Sequence, residues 1–246
     1  MALKATAESH GAVSGAFGLT STDREYWTAC GWYYYDGGAV GSDWIATIAN
    51  ASNNPIAYLF ITSGGKVGVY DGGFSSESGG DALPSGEWVY LGLRFQRPGG
   101  SGNKTLSVGM WKTGYANWTE TNSIANTFAS DSAPDKLYLG RDSGGFNACP
   151  GRFIYWRVYT GGTDQNSGAY LSAAALDTQR NQATASAAFG NGFRENWKMA
   201  TNDANLLVGD HGVNLTNNGL SWDAAAPTLG GGSQSVVPHF MQHYLG

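Results

Sequence analysis

Glu87-Trp88-Val89-Tyr90-Leu91-Gly92-Leu93-Arg94-Phe95-Gln96 alternates with period two. Val89, Leu91, Leu93 and Phe95 fall on one face of an extended chain, and Trp88, Tyr90, Gly92 and Arg94 on the other. Both faces carry bulky side chains, so this strand is expected to be covered on both sides or to form an interface. The next residues, Arg97-Pro98-Gly99-Gly100-Ser101-Gly102-Asn103, are turn formers. Beyond them Leu106, Val108 and Met110 alternate again, so 104–112 pairs with 87–96 as a hairpin.

Outward from this hairpin the same grammar repeats. Tyr26-Trp27-Thr28-Ala29-Cys30-Gly31-Trp32-Tyr33-Tyr34-Tyr35 reads as an aromatic strand, and 44–50 and 56–62 pair around Asn53-Asn54-Pro55. Further strands are expected at 66–70, 136–141, 152–160, 192–199, 205–208 and 213–222. Residues 113–135 read as polar and irregular, anchored by Trp118 and Phe128. One segment, Tyr170 to about Ala187, is rich in Ala, Leu, Gln and Arg without Gly or Pro; it is read as a helix on a sheet edge, capped by Ser167 or Ser172. About a dozen short strands close most readily into two packed sheets. The expected fold is all-β, a two-sheet antiparallel sandwich over 1–224, followed by a Gly/Ser linker and aromatic tail at 225–246.

The totals agree. The chain has 246 residues with 37 glycines, 13% aromatic and only 13% charged residues. An average soluble chain is about 25% charged. Low charge with many Gly, Ser, Thr and Asn suits strands and turns, and rings suit a core with few other large residues. The net charge of −5, with no basic stretch, excludes a phosphate-binding surface of the nucleic-acid kind. No apolar run approaches a membrane span. The start, Met1-Ala2-Leu3-Lys4, lacks a signal peptide's apolar core, so synthesis in the cytoplasm is expected.

Residues 87–95, Lys136-Leu137-Tyr138-Leu139-Gly140-Arg141 and Gly151-Arg152-Phe153-Ile154-Tyr155-Trp156-Arg157-Val158-Tyr159 together resemble the concanavalin A-like, laminin-G-like jelly rolls. In that superfamily one strand reads hydrophobic-x-Gly, and a later one ends in Arg-hydrophobic-Tyr, as Arg157-Val158-Tyr159 does. Trp197-Lys198-Met199, Leu206 to Leu215 and Gly219 to Trp222 resemble a segment that usually opens such domains; here it lies near the end. The start and the linker-plus-tail also resemble laminin-G-like proteins of tailed-phage virions. That resemblance implies a non-enzymatic virion component, a capsid decoration or appendage protein docking on neighbouring subunits and on copies of itself. The docking residues would be Val236, Val237, Phe240, Met241, Tyr244 and Leu245. The alternative is a lectin-like carbohydrate-binding module whose rings stack on sugars through Trp88, Tyr90, Trp111, Tyr115 and Trp118.

A glycan-cleaving enzyme is the third reading. Cleaving relatives carry Glu-x-Asp-x-x-Glu, and here the glutamates stand apart at 8, 25, 77, 87, 120 and 195. His10 and His211 sit in polar loops, and His239 and His243, spaced by four, have no third ligand. No cofactor is expected. Calcium held by Asp142, Asn147, Asp203 and Asp210 is compatible with the fold, but Asx turns are preferred for these residues. Cys30 and Cys149 are either a disulfide, if the family's strand layout brings them close, or buried free thiols, the preferred reading.

Overall fold

The computed structural model describes residues 2–5, 11–18, 25–38, 43–73, 75–77, 81–97, 104–125, 133–141, 144, 149, 151–162, 169–182, 193–199, 209, 212–223, 226–227 and 229. They form two antiparallel sheets and one helix. The first sheet contains β1 (Ala2–Ala5), β3 (Tyr26–Tyr35), β8 (Trp88–Gln96), β9 (Thr105–Trp111), β10 (Thr119–Ala125), β12 (Gly151–Gly162), β13 (Phe193–Trp197) and β15 (Ser221–Asp223). Its order is β10-β9-β8-β3-β12-β1-β15, with β13 also paired to β12. The second contains β2 (Gly11–Ser14), β4 (Asp43–Ala49), β5 (Pro55–Ile61), β6 (Val67–Tyr70), β7 (Ser75–Glu77), β11 (Lys136–Leu139) and β14 (Leu215–Asn218), in the order β14-β2-β11-β4-β5-β6-β7. This is the expected jelly-roll-like sandwich.

The alternation of β8 places its aliphatic face inward. Leu91 lies opposite Gly31 and Met110, Leu93 opposite Ala29 and Val108, and Phe95 opposite Trp27 and Leu106. Ile48, Leu59, Val67, Val69, Leu137 and Leu139 of the second sheet close the same core. Trp156 lies flat against Gly31, where an added Cβ would come within 2.5 Å of the indole. Tyr155 sits at a bulge with φ +54°, and the phase shift there turns Trp156 inward and Arg157 outward.

The chain's two ends complete both sheets together. β1 pairs with β15 in one sheet, and β2 with β14 in the other. The segment expected as a single strand at 213–222 is therefore two strands, which change sheets across Gly219 at φ +81°. β10 corrects the reading of 113–135 as irregular. Its sequence Thr-Glu-Thr-Asn-Ser-Ile-Ala carries no apolar alternation because it is a largely exposed edge strand.

The helix α1 (Ala173–Arg180) is shorter than expected, and residues 183–187 lie outside the described residues. Ser172 caps it, its hydroxyl accepting from the Ala175 N–H at 3.2 Å. It rests across the outer face of the first sheet rather than on an edge, because sheet side chains hold both its ends. At the start, Arg94 donates to the Leu171 carbonyl and Thr28 accepts from the Leu171 N–H, both at 3.0 Å. At the end, Trp32 donates to the Arg180 carbonyl at 3.0 Å, and the buried Arg157 donates to the carbonyls of Gln179 and Gln182. Both faces of β8 are thereby covered, one by the second sheet and one by α1 with its approach.

Cys30 and Cys149 are free, buried thiols. Cys30 points to the helix-covered face beside Tyr90, whereas Cys149 lies 2.8 Å from the Tyr33 hydroxyl, and Tyr33 belongs to the opposite face of β3. Burial pushes the Cys30 thiol up to about 11 and raises Cys149 further. Native protein at pH 8 should therefore leave both thiols unalkylated by iodoacetamide, while denatured protein gains two adducts by mass. A native adduct on Cys30 within minutes would contradict this packing. The sign for stability follows from linkage. An unfolded thiol ionises near 9, so the preference for the buried neutral form is fully present below that pH and is lost as pH climbs through about 11.

Candidate functional site

The five aromatic residues expected to meet sugars all lie on or beside the outer face of the first sheet, but two of them are interior. Tyr90 is 0% exposed and Trp118 2%. Trp118 fills a slot that Gly92 and Gly109 leave in the sheet; a Cβ at Gly109 would meet its ring at 2.3 Å. The Arg94 guanidinium stacks on the Trp118 ring at 4.7 Å, and the backbone N–H of Trp118 donates to Asp177 Oδ1 at 2.7 Å. Tyr90 is closed in by Trp32, 5.4 Å away edge-on. Neither ring offers a face to a ligand, because the sheet and helix use both as packing.

Trp88, Trp111 and Tyr115 are half-buried, with neighbours already in place. Trp88 meets Tyr34 edge-on at 5.3 Å, and Arg152 covers Tyr34 at 4.2 Å. Arg180 lies over Trp111 at 4.3 Å and Lys112 over Tyr115 at 5.3 Å. These cations are paired in turn: Arg152 with Asp36 and Asp223, Arg180 with Asp177, Lys112 with Asp81. Each cation over these rings is thus neutralised by a carboxylate, the Arg180–Asp177 pair being on α1 itself.

A second aromatic group, missed at the sequence level, lies on the outer face of the second sheet. Trp44 of β4, Tyr58 of β5 and Tyr70 of β6 are half-buried. Their centroids form a compact triangle: Trp44 to Tyr58 4.4 Å, Tyr58 to Tyr70 5.7 Å and Trp44 to Tyr70 6.2 Å. The three ring planes lie within 34° of one another. Phe60, buried, presses edge-on against Trp44 at 5.7 Å and lies over Gly68, so it flanks the triangle on the same face. Among the described residues no arginine or lysine stacks on Trp44 or Tyr70.

Register builds this group. Tyr58 pairs with Tyr70 on one side and with Thr47 on the other, and Thr47 pairs with Tyr138. The row ends on a polar group. Asn53, exposed at the tip of the β4–β5 hairpin, accepts from the Tyr138 hydroxyl at 3.0 Å and from the Lys136 ammonium at 2.6 Å. Burial raises the Tyr138 phenol, which keeps it a neutral donor. Asn53 adopts φ +63°, a region asparagine tolerates, and Asn50 fixes the tip by accepting from the N–H groups of Ser52 and Asn54.

Three of the buried carboxylates accept from backbone N–H groups. Asp135 accepts from Gly18, Asp71 from Gly73, and Glu195 from Asn196 and Val213. Among the described residues no three His, Cys, Asp or Glu side chains gather as metal ligands. Asp142, Asn147, Asp203, Asp210, all four histidines, and the tail residues Val236, Val237, Phe240, Met241, Tyr244 and Leu245 lie outside the described residues.

No family model and no curated protein sequence matches the chain. Solved structures do. A presumed carbohydrate-binding protein of Bacteroides ovatus ATCC 8483 aligns over 89% of this chain at TM-score 0.57 and 15% identity. This chain spans only 58% of that protein's length. A heptameric SAP-like pentraxin from Limulus polyphemus aligns over 89% of this chain and 94% of its own, at TM-score 0.49 and 13% identity. The CBM40 module of a Ruminococcus gnavus IT-sialidase aligns over 72% of this chain and 95% of its own, at 0.47 and 17%. At these identities the likeness is one of fold.

Proposed function

We propose that the chain is a non-catalytic glycan-binding β sandwich. The observation that carries this reading is the triangle of Trp44, Tyr58 and Tyr70 on an outer sheet face. Half-exposed rings with a polar neighbour suit sugars, whose C–H faces stack on aromatic rings while their hydroxyls need hydrogen bonds. The carbohydrate binding ascribed to the Bacteroides ovatus protein supports the same reading. A binding role also fits carboxylates that are occupied with backbone donors rather than paired across a cleft. The order of the two sequence readings is thus reversed. The virion role rested on the resemblance of the start and the linker-plus-tail, and no observation among the described residues favours it.

The test is a panel of neutral and acidic polysaccharides, read both by affinity electrophoresis and by reducing-end release. Retardation by at least one polysaccharide without new reducing ends is expected. Trp44→Ala should weaken binding about tenfold or more, roughly 1.4 kcal/mol, at unchanged melting behaviour. Absence of retardation throughout, or release of reducing ends, would overturn the proposal.

A further inference from the structure

We infer that the site takes a neutral, extended glycan bound along its length, lying across the strands from the Trp44–Tyr58–Tyr70 triangle toward Asn53. This rests on the glycan-binding reading and adds where the chain lies, how many sugars it engages and what charge it carries.

The extent of the site comes from register. Tyr70, Tyr58, Thr47 and Tyr138 stand in one row on four neighbouring strands; Tyr70 and Tyr58 are half-exposed, whereas Thr47 and Tyr138 are buried, so a ligand meets the rings at one end and the exposed Asn53 beside the other. At about 4.8 Å between strands the row measures about 14 Å, longer than one pyranose. Its two ends differ in chemistry. One end is the ring triangle, which offers apolar faces. The other is the Asn53 amide, whose Oδ1 is taken by Tyr138 and Lys136. The same geometry turns Nδ2 away from both donors, so it remains as a donor for a sugar hydroxyl. The Asn50 turn holds that amide in place before any ligand arrives, which lowers the ordering cost of binding.

Charge points to a neutral ligand. Trp44 and Tyr70 carry no stacked cation among the described residues; of the cations near Tyr138, Lys136 is directed to Asn53 and Arg141 has contacts of its own. The half-exposed rings lie on an outer sheet face, and among the described residues no ring of donors converges there on a terminal sugar. Binding by stacking along a row is therefore additive over several units and indifferent to chain ends.

The experiment is calorimetric titration of the full chain with cellohexaose, laminarihexaose, maltohexaose, xylohexaose and hexagalacturonic acid, and with the disaccharide of whichever binds. A neutral hexasaccharide should bind, its disaccharide about tenfold more weakly, and 0.5 M NaCl should leave the affinity within twofold. Asn53→Gly removes the amide while keeping a backbone that favours φ +63°, so it should fold normally and weaken the hexasaccharide about threefold. Tyr70→Ala should weaken it about tenfold. Preference for hexagalacturonic acid, equal affinity for the disaccharide, or unchanged binding in both variants would overturn the inference while leaving a glycan-binding protein. If a bound glycan reaches neither variant's surface, the site lies elsewhere. If none of the five sugars binds, the inference fails; retardation by other polysaccharides would still sustain the broader function.

Discussion

Replacing Arg157 with leucine should destabilise the fold by about 3–5 kcal/mol, because several buried acceptors would lose their donor at about 1–3 kcal/mol each. Arg157 is completely buried and donates to Asn196 Oδ1 at 2.9 Å, to the Gln179 carbonyl at 2.5 Å, to Gln179 Oε1 at 3.1 Å and to the Gln182 carbonyl. Two of these acceptors are carbonyls at and just past the end of α1, where a helix leaves its last carbonyls without intrahelical partners and its dipole favours a cation. Leucine would keep the bulk but strand these oxygens in an apolar setting. Arg157→Lys should fare little better, since one ammonium cannot reproduce the planar fork that reaches Asn196 and the helix end together. Urea titration provides the measurement, with the midpoint falling at unchanged slope. A loss below about 1 kcal/mol in Arg157→Leu would show that α1 is held mainly by Leu176 and the Arg94 anchor.

The legibility of this fold differs between strands for identifiable reasons. β8 could be read directly because its aliphatic residues repeat every second position and face one core. β10 could not, because an exposed edge strand has no apolar face to repeat. The glycines at 92 and 109 were visible, but their purpose was not: the ring that fills their slot comes from Trp118, beyond a turn. That is why Trp118 looked like a surface ring. The Trp44–Tyr58–Tyr70 group had a partial signal. Tyr58 and Tyr70 occupy outward positions of strands whose inward residues, Leu59, Ile61, Val67 and Val69, are aliphatic, and the short turn between those strands sets them opposite each other. Trp44 reaches the same face through a register shift between Trp44 and Ala46, and a bulge leaves no mark in hydrophobic periodicity. The Arg157-Val158-Tyr159 pattern was recognised as a family resemblance. Its physical meaning, a guanidinium and a phenol both gripping Gln179, required the helix to be in place.

Gly31→Ala should destabilise the core by about 3 kcal/mol, at the upper end of overpacking costs. The new Cβ would stand 2.5 Å from Trp156 Cγ and Cδ2, well inside van der Waals contact. The indole has little room to retreat: it is completely buried, and its N–H is bound to the Trp32 carbonyl at 3.1 Å. Overpacking of this kind moves either a rigid ring or the β3–β12 pairing, and both raise the cost above that of an ordinary extra methylene. The cause can be separated from a general intolerance of the strand. Trp156→Leu alone should lose about 3 kcal/mol by leaving a cavity. In the double variant the added methyl enters space the indole has left, so its loss should fall short of the sum of the two single losses by at least about 1 kcal/mol. Strict additivity would mean that Gly31 is required by the backbone of β3 rather than by the face of Trp156.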